Sequence, residues 1–371
     1  MPKNSYYNII NAMQTLKSNF DYKGRVYSLF LAGLPHFNSN FTRDAMYSLL
    51  LIDDEESLAT QLEFCVAIQG KQLNAYNGEE EGKIFHEYPD VEMNGRGTLY
   101  NAGDTTALFL LGVAKYLRLN PTQGNEFVKN HHLAIQSAAK YIINHLQKGI
   151  FIEDPSFSGA EEYSLKVTYW KDSILIDRVG GKPMYPITYT LMHAINLAGL
   201  KSAYKILQDE VYLEYVHQMR SGLDSLYSKQ AGTFILAKDT VGEVLAETDD
   251  FLHMLFFLDP EDIASFQVDS IVAKSKFLET EFGYRTNTAD FCSLLDPYHS
   301  CTLWPFEQGI IHAGANKFRL DRVKEVSSRI MKFLDTDPEY FKLDGEPHEY
   351  EKAGCDPQLW TWATKEYFKS N

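Results

Sequence analysis

Apolar residues three and four apart recur along almost the whole chain, and that regularity restricts it to a fold built from helices. Between Tyr6 and Phe20 the stripe is Ile9, Ile10, Met13, Leu16 and Phe20. Similar stripes predict helices over 43–53, 56–70, 104–118, 128–147, 186–199, 201–207, 209–229, 249–258, 260–266, 268–278, 303–315, 319–334 and 357–368. Strand alternation is scarce, and Gly232 to Ala237 is the best short candidate.

About a dozen helices in 371 residues is roughly 30 residues per helix with its connection, the proportion of six helical hairpins. The expected fold class is therefore all-α, an (α/α)6 toroid. Residues 1–371 form one domain in this reading, because no Pro-, Gly- or Ser-rich linker divides them. The connecting loops combine aromatic, acidic and basic residues. In a toroid such loops gather at one mouth, where sites are built.

Fifty acidic residues against 35 Lys plus Arg give a formal charge of -15, which repels a phosphate backbone, so nucleic acid is not an expected partner. None of Cys65, Cys292, Cys301 and Cys355 has zinc-site spacing, and all are expected as reduced thiols. His86-Glu87 lacks a third ligand nearby, and no phosphate-loop pattern occurs; neither a metal nor another cofactor is expected. No basic, apolar leader opens the sequence and no run is long enough to span a bilayer. The expected location is the cytoplasm, without membrane association.

Thr168-Tyr169-Trp170-Lys171-Asp172-Ser173 sets one carboxylate among an aromatic face, a cation and a hydroxyl. An aromatic wall can stack on a sugar ring and make a neighbouring carboxyl harder to ionise, which suits a general acid. Read alone, Asp172 is more readily a helix cap beside a half-buried Trp170. Phe41-Thr42-Arg43-Asp44 reads first as a helix cap plus a surface charge, and alternatively as an apolar wall and a carboxylate oriented by its neighbouring arginine. Asp104, before Thr105 and Thr106, reads first as a cap. His299, Trp304 and Glu307 precede a helical stripe, and an acidic run from Glu346 to Glu351 precedes Trp360 and Trp362.

Taken in order, five blocks resemble the catalytic barrel of inverting α-glucosidases: the amylo-α-1,6-glucosidase part of glycogen debranching enzymes, processing α-glucosidases and trehalases. They are Phe41 to Asp44, Tyr100 to Thr106, Tyr169 to Ser173, Ser300 to Glu307, and Glu349-Tyr350 with Pro357 to Ala363. The resemblance implies that Asp172 is the general acid and Glu349 the general base. The family's Pro-Glu-aliphatic-aromatic pattern is replaced here by Pro347-His348-Glu349-Tyr350, which leaves Glu346 and Glu351 as competing bases. Phe41, Arg43, Asp44, Asp104, Trp170, Lys171, Trp304, Glu307 and Trp360 would bind the sugar.

The expected activity is inverting hydrolysis of an α-glucosidic or similar bond in a small glycoside or oligosaccharide. Alternatives on the same toroid are a sugar epimerase, an unsaturated-uronide hydrolase, or a non-catalytic carbohydrate-binding protein.

Overall fold

The computed structural model describes residues 14–172, 182–288, 296–343 and 349–371. In chain order the helices are α1 Thr42–Leu51, α2 Glu55–Ile68, α3 Thr105–Leu119, α4 Pro121–Asn130, α5 His132–Asn144 and α6 Thr190–Leu207. They continue as α7 Glu210–Ser225, α8 Asp250–Phe257, α9 Ser265–Ser275, α10 Pro305–Phe318, α11 Asp321–Ser328 and α12 Leu359–Ser370.

Six of them form a closed circuit. Helix α1 packs on α3, α3 on α6, α6 on α8, α8 on α10, α10 on α12, and α12 returns to α1. The others lie outside it: α2 against α1 and α3, α4 against α3 and α5, α5 against α3 and α6, α7 against α6, α9 against α8, and α11 against α10.

Sequence explains the two classes. In α6 every residue from Thr190 to Ala203 is buried, as an inner helix covered on all sides requires. In α7 only Tyr212, Val216, Met219, Gly222 and Leu223 are buried, a single stripe with the other face in water. Gly199 sits inside α6 because a Cβ there would stand 2.6 Å from Cβ of Ala107. The two ring helices approach too closely for a side chain, so the expected break near residue 200 does not occur.

Other boundaries shift for local reasons. The stripe over 128–147 is two helices meeting at His131. No helix covers 260–266 as a unit; α9 begins at Ser265, where Gln267 accepts from the Ala264 N–H at 3.0 Å. The first predicted helix lies outside the described residues up to position 13, and its end is a strand, Lys17–Tyr22, paired with Arg25–Phe30. The turn between them has Lys23 and Gly24 at φ 52° and 82°, both left-handed, as a two-residue hairpin turn requires.

The fold is not purely helical. Short strands precede several ring helices: Asn40–Phe41 pairs with Glu87–Tyr88, Thr188–Tyr189 with Ala237–Lys238, and Thr302–Leu303 with Tyr340–Leu343. Tyr340–Leu343 pairs in turn with Tyr350–Ala353. These ladders hold the starts of α1, α6 and α10.

Cys65 and Cys355 are buried free thiols, but Cys301 is disulfide-bonded, contrary to the expectation of reduced thiols; Cys292 lies outside the described residues. Spacing alone gave no reason to pair Cys301, and its bonding removes the thiol argument for a cytoplasmic location. Among the described residues no helix is long and apolar enough to cross a membrane.

Candidate active site

The starts of three ring helices meet in one pocket. Helix α1 contributes Arg43 and Asp44, the start of α10 contributes Trp304, and that of α12 contributes Gln358 and Trp360. Phe37, Phe41, His86, Trp170, Asp172, Tyr298, His299 and Glu339 complete the wall with Ala32. The cavity measures about 90 Å³, far below the roughly 300–1,000 Å³ of drug-sized sites. Helix N-termini carry positive partial charge, which favours a gathering of carboxylates here.

Trp170 and Lys171 present Asp172 to this pocket. The Trp170 indole donates to Asp250 Oδ1 at 2.9 Å and packs edge-on against Trp304 and Phe306, with centroids 5.7 and 5.2 Å away. Lys171 Nζ donates to Thr248 Oγ1 at 2.7 Å and meets Asp249 at 2.9 Å and Asp250 at 3.1 Å. Both side chains are anchored below the wall, and the next residue, Asp172, keeps 31% of its side chain exposed. Ser173 lies outside the described residues.

Arg43 organises the floor. Its Nε donates to Asp104 Oδ2 at 2.6 Å, and Nη2 donates to Asp104 Oδ1 at 3.2 Å and to the Thr168 carbonyl at 3.0 Å. Its Nη1 faces Asp172 Oδ2 at 3.7 Å. Burial lifts the Asp172 carboxyl to about 6 against the opposing pull of Arg43. Asp44 is not the partner of Arg43; Gln358 Nε2 donates to it at 3.3 Å, and burial lifts it to about 8.

Asp104 thus supports Arg43 from behind, and makes no side-chain cap to α3. Both members of the pair are buried, so Arg43→Ala leaves a carboxylate without its counter-ion. The expected cost is about 3–5 kcal/mol of folding stability. Urea unfolding checks this, and a loss below about 1 kcal/mol contradicts it. Arg43→Met with Asp104→Leu should recover most of the loss, because both charges are removed together.

Glu349 does not reach the pocket. It is exposed, just before the strand Tyr350–Ala353. Tyr340 pairs with Ala353 and Leu343 with Tyr350, so Glu349 and Glu339 flank opposite ends of one ladder. Five residues of strand separate these ends, roughly 17 Å. Glu351 is also exposed, beside Lys342 at 3.5 Å, and Glu346 lies outside the described residues.

The glutamate that does line the pocket, with Asp44 and Asp172, is Glu339, 1% exposed. Tyr298 Oη donates to its Oε1, and the Cys355 N–H donates to Oε2 at 2.8 Å. Burial raises its pKa and the Tyr298 hydrogen bond opposes the rise. Sequence reasoning missed it, although Pro338-Glu339-Tyr340-Phe341 fits the Pro-Glu pattern with an aromatic in the aliphatic place.

Of the other expected sugar-binding residues, Phe41, Arg43, Asp44, Trp170, Trp304 and Trp360 line the pocket, whereas Asp104, Lys171 and Glu307 lie beneath it. Glu307 is fully buried, with Oε1 at 2.7 Å from His253 Nδ1. Asp249, Asp250 and Glu307 are close enough together to ligate a cation. Lys171 already places its ammonium against Asp249 and Asp250, supplying the positive charge a metal would bring.

The sequence matches no family profile and no curated protein. The structure does resemble solved ones. A GH63 mannosylglycerate hydrolase from Thermus thermophilus, in complex with glucose, superposes with a TM-score of 0.70 at 11% identity, covering 98% of this chain and 99% of that one. The same hydrolase with Tris and D-glycerate gives 0.69 at 12% identity over the same shares. An uncharacterized conserved protein from the same organism gives 0.72 at 11%, again over 98% and 99%. The likeness carried by the five sequence blocks is thus matched by a likeness in fold over nearly the whole chain.

Proposed function

We propose that this chain is an inverting glycoside hydrolase on a six-hairpin toroid, with Asp172 as general acid and Glu339 as general base. The observation carrying this reading is that both carboxyls line one pocket walled by Trp170, Trp304 and Trp360. Aromatic faces suit the apolar face of a sugar ring. Trp360 Nε1, His86 Nδ1 and Gln358 Oε1 are buried without a hydrogen-bond partner among the described residues, which suits a ligand rich in hydroxyls. Phe41, Arg43, Asp44 and Trp304 then hold the reacting ring.

In this mechanism Asp172 gives its proton to the glycosidic oxygen as the bond to the anomeric carbon breaks. Glu339 takes a proton from the water that attacks the opposite face, and the configuration inverts. Glu349, expected as base from sequence, has no part. The substrate we propose is a small α-glucoside or a similar glycoside such as a mannoside, matching the modest cavity and the sugar named with the structural neighbour.

A panel of disaccharides, mannosylglycerate and aryl glycosides, followed by proton NMR of the first-formed sugar anomer, tests this. Release of the inverted anomer is expected; a retained product, or no hydrolysis of any panel member, contradicts it. Asp172 must carry its proton, so kcat/KM on disaccharides should fall as pH rises through about 6, where that carboxyl ionises in the free protein. A plateau persisting above pH 8 excludes Asp172 as the acid.

A further inference from the structure

We infer that Tyr298 is the positioning residue that keeps Glu339 in the carboxylate form, and so fits Glu339 and not Asp172 for the role of base. The inference rests on the hydrolase reading above. Each oxygen of Glu339 already receives a hydrogen bond: Oε1 from the Tyr298 hydroxyl and Oε2 from the Cys355 backbone N–H at 2.8 Å. Donors on both oxygens match a carboxylate, whereas a protonated carboxyl must turn its own O–H against one of them. A backbone N–H can only donate. The hydroxyl can also accept, so Tyr298 is the partner whose removal changes the balance.

Asp172 is treated differently by the same turn of chain. Among the described residues its nearest charged or ionisable side-chain neighbours are Arg43 Nη1 at 3.7 Å and His299 Nε2 at 4.0 Å. Tyr298 and His299 are adjacent, so one turn faces both carboxyls, with the hydroxyl on the base and a ring buried beside the acid.

That turn is rigid. The His299 N–H donates to Asp296 Oδ1 at 3.0 Å, Ser300 N–H to the Asp296 carbonyl at 3.1 Å, and Thr302 Oγ1 to the Tyr298 carbonyl at 3.0 Å. The Tyr298 ring packs edge-on against Trp304 at 5.0 Å and Tyr340 at 5.1 Å. Its hydroxyl is therefore placed by packing and does not have to be ordered when substrate arrives.

The groups that face Glu339 from each packed element are Tyr298 on this turn, Cys355 before α12, Asp44 on α1, Tyr340 on its own strand and His36 on the preceding loop. Burial and Asp44 oppose a charge on Glu339, while Tyr298, Cys355 and His36 favour it.

The test is the pH profile of kcat/KM on mannosylglycerate or an α-linked disaccharide, whose alcohol leaving group needs the acid, for wild type and Tyr298→Phe, which keeps the ring and deletes the donor. A hydrogen bond to a charged group contributes enough that activity on the acidic limb should fall about tenfold or more. That limb should move to higher pH, while the basic limb belonging to Asp172 stays in place. Substituting difluorotyrosine at position 298, a stronger donor, should move the acidic limb the other way. If the acidic limb stays fixed in both variants, or both limbs move together, Tyr298 does not set the state of the base. If wild type hydrolyses nothing, or Glu339→Gln is as active as wild type, the hydrolase reading fails and this inference fails with it.

Discussion

Glu339→Gln is expected to lower kcat by roughly 10²–10⁴ on every glycoside the protein cleaves, while Glu349→Gln changes it by less than about twofold. The amide keeps the shape of the side chain, and its oxygen can still accept from Tyr298 Oη or from the Cys355 N–H. What it cannot do is take a proton from water. The loss should therefore appear in kcat with little change in KM, because the ring is held by other residues. Glu349 is exposed ahead of the strand Tyr350–Ala353 and is not among the described residues that line the pocket. Equal losses for the two variants, or a larger loss for Glu349→Gln, rule out Glu339 as the base. The amide-for-acid exchange could also unsettle the fold, so matched thermal midpoints are the control.

The contrast between these two glutamates shows where sequence reading stops. The ring helices were readable because an inner helix is apolar on several faces and an outer one on a single stripe, as α6 and α7 illustrate. The mouth was readable because its residues sit at helix starts: Arg43 and Asp44 open α1, Trp304 precedes α10, and Trp360 lies in the first turn of α12. The base was not. Proximity in sequence to α12 favoured Glu349, yet the antiparallel ladder folds back and returns Glu339, ten residues earlier, to the pocket side.

Partners were hidden for a related reason. Arg43 beside Asp44 reads as a pair, but consecutive helical residues project about 100° apart and do not face each other. Arg43 instead meets Asp104, sixty-one positions away, through the contact of α1 with α3. Lys171 beside Asp172 misleads in the same way, since the ammonium turns toward Asp249 and Asp250 at the start of α8. In both cases the cation neutralises a buried carboxylate under the floor.

Asp172→Asn should separate substrates by their leaving groups. An alcohol leaving from a disaccharide must be protonated as it departs, so loss of the acid is expected to cost about 10²–10⁴ in kcat/KM. Fluoride departs without a proton, being the anion of a much stronger acid than any alcohol. On α-glucosyl or α-mannosyl fluoride the same variant should therefore stay within about tenfold of wild type. Glu339→Gln should be impaired on both, because water must be activated whichever group leaves. The pH profile makes the same division: the fall in activity above pH about 6 should disappear when wild type is given the fluoride, since the proton on Asp172 is no longer needed. The asparagine also removes the group facing Arg43 Nη1 at 3.7 Å, but Arg43 remains bound to Asp104 and to the Thr168 carbonyl, so the floor should hold. An equal loss of Asp172→Asn on fluoride and disaccharide shows that Asp172 shapes the ring site and does not protonate the leaving oxygen.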